Sequence, residues 1–141
     1  MRKMKKSKKA AALLGLLLTA WMFAGCSVLS EESVKLQDLG FTVVSEEKVP
    51  EELMNIIDGK KEEPFQLTYS DEEYLYIVIG YGQQTGGGYS IAVDELYLTE
   101  DSVCVDTTLL GPESSDAAGK TPSWPYIVLK LDYTEKPVVF G

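Results

Sequence analysis

One stretch constrains this chain more than any other: Tyr81-Gly82-Gln83-Gln84-Thr85-Gly86-Gly87-Gly88-Tyr89-Ser90, in which four of ten residues are glycine. It stands between two apolar, β-rich segments, residues 74–80 and 91–98. Glycine supplies backbone angles that other residues reach only at a cost, so the pattern predicts two strands joined by a wide hairpin loop. The loop exceeds what a two-residue turn needs, and loops of that kind often carry a binding surface. Residues 74–80 are apolar on both faces, which predicts a central strand covered from two sides.

The neighbouring segments extend this pattern. Phe41 to Val44 read as a strand, and Pro50 opens a helix whose first turn carries Glu51 and Glu52 against the positive end of the helix dipole. Leu53, Met54, Ile56 and Ile57 form its apolar face, and Gly59 is the expected stop. From Pro64 onward the signals are β. Residues 65–69 alternate, Ser70 to Glu73 make an acidic turn, and 103–110, 126–133 and 138–140 read as further strands. The apolar parity switches from Ile91 and Val93 to Leu96 and Leu98, which predicts a bulge at Asp94-Glu95. Residues 111–122 have no apolar periodicity and read as a long loop. About seven short strands and one short helix predict a mainly β (α+β) domain: a single antiparallel β-sandwich or partly open barrel, with the helix packed on it.

The first 25 residues read as an address. Arg2, Lys3, Lys5, Lys6, Lys8 and Lys9 precede an uncharged run from Ala10 to Ala24. Those 15 residues suit a signal-peptide core and fall short of the roughly 20 that a membrane span needs. The ending Phe23-Ala24-Gly25-Cys26 resembles a bacterial lipobox, although most lipoboxes have leucine where Phe23 stands. The resemblance implies cleavage before Cys26 and a diacylglycerol on its sulfur. Two acyl chains, at ~0.8 kcal/mol per buried CH₂, make a stable anchor. The other reading is an uncleaved helical anchor, since no charge follows until Glu31. The expected division is a signal peptide at 1–25, a lipidated Cys26 and polar tether to residue 38, and a β-rich domain over 39–141. The expected location is extracytoplasmic, on the cell membrane; Ser27 after the cysteine permits outer-membrane sorting in a two-membrane bacterium.

Beyond residue 25 the chain keeps seven basic against 22 acidic residues, a balance of −15. That charge argues against nucleic acid and against attraction to anionic headgroups. Histidine is absent, which removes the commonest general base and zinc ligand together. Without it a serine triad is impossible, and no Ser-x-x-Lys pair substitutes. The acidic groups at 71–73, 94–95 and 100–101 fall in predicted turns or strand ends, without calcium-loop spacing, and read as solvated charge rather than as a glycosidase pair. Cys104, within Val103-Cys104-Val105, reads as a small buried hydrophobe, with a reactive thiol as the other reading. The glycine stretch fails as a dinucleotide loop because Thr85 stands where glycine is required and a strand follows. It fails as a P-loop because the nearest downstream lysine is Lys120. No catalytic residue, metal or cofactor is expected. What remains is a structural loop or a protein-binding tip. The 82–88 and 111–125 loops carry aromatics at their margins: Tyr81, Tyr89, Trp124 and Tyr126. If both lie at one end of the fold they make a hot-spot-like patch; otherwise those rings close the core.

The run Gly80 to Ile91, then Thr107 to Pro112, then Thr121 to Val128 resembles the PrcB-like family of protease-complex subunits. The likeness covers about residues 64–133, with an extra glycine in Thr85-Gly86-Gly87-Gly88-Tyr89. It implies a non-catalytic bacterial lipoprotein that binds and stabilises a secreted or surface protease complex. The candidate contact residues are Tyr81, Gln83, Gln84, Thr85, Gly86, Gly87, Gly88, Tyr89, Trp124, Pro125 and Tyr126. The loop pair is also similar to that of chagasin-type peptidase inhibitors, which implies direct inhibition as an alternative, although here the order is Trp124-Pro125. A structural envelope lipoprotein without a peptidase partner is the third class.

Overall fold

A computed structural model describes residues 34–114 and 119–141. The signal-peptide and Cys26 readings lie outside the described residues, as does the 115–118 part of the long loop. Among the described residues, eight strands build two four-stranded sheets. They are β1 (Gln37–Asp38), β2 (Thr42–Val43), β3 (Pro64–Ser70), β4 (Tyr74–Tyr81), β5 (Ser90–Leu98), β6 (Val103–Leu110), β7 (Tyr126–Asp132) and β8 (Val138–Phe140). One sheet has the order β1-β5-β6-β8 and the other β2-β7-β4-β3. Two separate sheets make the molecule a sandwich rather than a barrel. All pairs are antiparallel except β6 with β8, which run parallel.

The apolar run at 74–80 dictates the layering. Leu75, Ile77 and Ile79 of β4 join Ile127, Leu129 and Leu131 of β7 and meet Leu96, Val103 and Val105 of the opposite sheet. The alternate residues Tyr76, Val78 and Val128 face the other way, onto the helix α1 (Glu51–Lys60) through Leu53 and Ile57. At about 25 cal/mol per Å² of apolar surface, burial on both faces makes this strand pair the main source of stability. The central-strand expectation holds.

The helix starts directly after Pro50, with Glu51 and Glu52 in the first turn. It does not stop at Gly59. It continues to Lys60, and the Lys61 amide still donates to the Ile57 carbonyl. A glycine in the last turn costs about 1 kcal/mol of propensity, which the packing of Leu53 and Ile57 outweighs. No helix among the described residues is long and apolar enough to cross a membrane.

Three local features also bear on the sequence expectations. The β5–β6 register shifts between Val93 and Glu95, as the parity switch required, so Ile91, Val93, Leu96 and Leu98 all face the core. Gln37 and Asp38, expected in the tether, form a strand on β5, held by Leu36 N donating to Leu98 O and Leu39 N donating to Leu96 O. Cys104 is half-buried on the face opposite Val103 and Val105, across from Tyr97, so it is not a core residue.

The largest correction concerns the glycine stretch. β4 and β5 are not paired; they lie in different sheets. The segment between them is a crossover from one layer to the other, not a hairpin loop.

Candidate functional site

The crossover, residues 82–89, is tied down along most of its length. Gly82 has φ +77°, and a Cβ there would lie 2.9 Å from Pro64 Cδ and 3.0 Å from its backbone nitrogen, so only glycine fits. Gln83 N donates to Glu62 O at 3.2 Å. Gln84 and Ser123 form an isolated antiparallel bridge, with N–H···O distances of 2.8 and 3.1 Å. The Gln84 side-chain amide turns back to the Tyr81 carbonyl at 3.1 Å, and Ser123 Oγ donates to Gly86 O at 2.6 Å. Gly88, with φ +81°, would place a Cβ 3.0 Å from Pro112 Cβ.

Three segments therefore meet at one end of the sandwich: the crossover, the Gly111-Pro112 corner after β6, and Ser123-Trp124-Pro125 before β7. The two loops singled out from the sequence do lie together. Within them, Gln83, Thr85 and Gly88 are exposed, Gln84, Gly87 and Tyr89 are half-buried, and Gly86 is buried. Tyr89 borders Gly111, whose Cβ position is 3.7 Å from Tyr89 Cε1.

The aromatic residues divide between surface and core. Tyr81 packs against the inter-sheet core, its hydroxyl meets Thr107 Oγ1 at 2.7 Å, and its amide donates to Pro125 O. Tyr126 packs under the helix, with its hydroxyl 3.8 Å from Met54 Sδ. Burial, followed by the charges of Glu46 and Asp58, pushes the Tyr126 phenol up from its usual pKa. These two rings close the core. Trp124 is half-buried, with Lys61 Nζ 5.8 Å from its ring centroid, and its indole Nε1 is buried with no hydrogen-bond partner among the described residues. Tyr89 and Trp124 are thus the aromatic residues that belong to the surface of the loop pair.

The crossover from Gly82 to Tyr89 contains no charged residue. Among the described residues, no group of three or more His, Cys, Asp or Glu side chains could hold a metal ion. The arrangement offers rigid backbone amides, carbonyls, one exposed threonine hydroxyl and two aromatic faces. Such a surface suits recognition of a protein. Pro64, Thr107, Pro112 and Ser123 anchor it and were not among the predicted contacts; each is separated in sequence from the glycine stretch that it holds.

A family model described as PrcB C-terminal matches residues 75–132, a span that begins in β4, ends with β7 and takes in all three converging segments. Neither a curated protein nor a solved structure matches the chain. Over residues 75–132, the chain is similar to the PrcB C-terminal family.

Proposed function

We propose that the protein is a non-catalytic, lipid-anchored extracytoplasmic subunit that binds and stabilises a protease complex, using the pinned loop pair as its contact surface. The family match is the observation that carries this reading, because it spans β4 to β7 and so includes both loops. Support also comes from the chemistry of the surface: no histidine, a charge-free crossover, and a tryptophan and a tyrosine held beside rigid glycine backbone. Anchoring rests on the lipobox-like ending at Cys26.

Affinity capture of the full-length protein from membranes, under mild crosslinking, should recover a peptidase or its fragments. Replacing both Thr85 and Tyr89 with alanine should reduce that recovery at least tenfold while the melting temperature changes little. Unchanged recovery removes the loop from the interface, and recovery of no peptidase favours a structural envelope lipoprotein. Intact-mass measurement of the membrane-extracted protein should show a diacylated chain starting at Cys26. Direct inhibition is the second reading, favoured by the crossover standing beside Trp124-Pro125 at one end of the fold. It requires the purified protein to slow a peptidase stoichiometrically.

A further inference from the structure

We propose that the outer edge of β3 accepts an extended, lysine- or arginine-bearing segment of a partner protein as an added strand. The two sheets have four edges. Those at β1 and β2 are two residues long and that at β8 is three, whereas β3 runs seven residues with an unbroken register on β4. Folded proteins usually shorten, bulge or charge their edges to prevent pairing. Between Phe65 and Ser70, β3 carries no charge and no bulge; Pro64, at its first position, is the one blunting residue.

The register identifies the unpaired groups. Asp71 N donates to Tyr74 O, and hydrogen-bonded pairs alternate along an antiparallel ladder. Phe65, Leu67 and Tyr69 therefore bond inward to Gly80, Val78 and Tyr76. The same parity follows from the far side of β4, where Tyr81 N donates to Pro125 O and Tyr133 N to Glu73 O. The amides and carbonyls of Gln66, Thr68 and Ser70 are left facing outward. No strand among the described residues pairs with them. The half-buried side chains of Phe65, Leu67 and Tyr69 provide an apolar row that an added strand would extend on the helix side.

Charge selects the occupant. Exposed carboxylates flank both ends of the edge: Glu62 and Glu63 before it, and Asp71, Glu72 and Glu73 after it. Antiparallel pairing with a second copy would set one acidic end against the other, and parallel pairing would set each against itself. Like charges directly opposite destabilise a sheet, so self-association along this edge is disfavoured in both orientations. A segment with basic ends gains from both clusters, while main-chain hydrogen bonds supply the common affinity of strand addition. This inference does not depend on the partner being a peptidase.

The test uses fluorescence anisotropy on the full-length protein with a decapeptide of alternating valine and lysine. Its glutamate counterpart should bind at least tenfold more weakly. Two N-methylated forms of the lysine peptide, methylated at one or the other set of alternate residues, should differ at least tenfold, because only one set of amides faces β3. Thr68→Pro removes an outward amide without touching the ladder to β4 and should weaken binding at least tenfold. Absence of binding, or equal binding of the two methylated peptides, overturns the proposal. So does unchanged binding to a folded Thr68→Pro variant, or a dimer in sedimentation that this substitution dissolves. If Thr68→Pro fails to fold, the methylated pair on the unmodified protein decides.

Discussion

Tyr81 and Thr107 stand in opposite sheets, and their hydroxyls meet at 2.7 Å at the end of the sandwich where the chain crosses over. The bond closes that end of the core just inside the glycine crossover. Tyr81→Phe keeps the ring and deletes the bond. It should destabilise the protein by about 0.5–1.5 kcal/mol, the net worth of one such hydrogen bond, measured by urea denaturation.

Gly88 and Gly119 both have positive φ, but among the described residues only Gly88 of the two has a neighbour, Pro112, in the space where a Cβ would go. Gly119→Ala bears the conformational cost alone, about 1–2 kcal/mol. Gly88→Ala adds displacement of Pro112 and should lose more. Paired thermal melts of the two variants give the comparison.

Leu53 is fully buried between α1 and the outer face of β4 and β7. Leu53→Ala should cost about 2–5 kcal/mol by the usual transfer and cavity terms. Hydrogen exchange should show amide protection falling more in the helix than in β4, whose other face remains packed.

Trp124 reverses the usual expectation for a large aromatic. Its buried indole N–H has no partner among the described residues, and such a donor costs about 1–3 kcal/mol of desolvation. Trp124→Phe removes that donor and keeps an aromatic face, so stability should hold or rise. Peptidase recovery should fall if the indole contacts the partner. A stable variant with reduced recovery separates binding from folding.

Asp71 caps the β3–β4 turn by accepting the amides of Tyr74 and Glu73, both at 2.8 Å. Those bonds hold its carboxyl below the usual carboxylate range. A depressed folded-state pKa contributes stability that is present above the unfolded value and is lost as pH falls through the folded one. Wild-type stability should therefore drop on acidification through that window more than Asp71→Asn does. Measurements of urea midpoints against pH test this, with an NMR titration of the Asp71 carboxyl locating the window.

What was legible in the sequence was set by neighbouring residues. The two-faced apolar run at 74–80 announced a central strand, and the parity switch around Asp94 announced the bulge. The partners of a strand are less visible, because pairing is decided by residues far away. The glycine stretch specifies a change of direction but not which sheet receives the chain, so a hairpin and a crossover look alike. Gln37-Asp38 is a strand held by backbone bonds to β5, and backbone bonds leave no hydropathy pattern. The closeness of the candidate loops rests on Ser123, whose contacts with Gln84 and Gly86 span 39 and 37 positions of chain.

The crossover is rooted in both layers, so it behaves as a hinge pin rather than as a free appendage. Any macromolecule that grips it holds the two sheets at one spacing. Unfolding by sliding or parting the layers would first have to break that grip. Occupancy at the tip should therefore slow the opening of the whole sandwich.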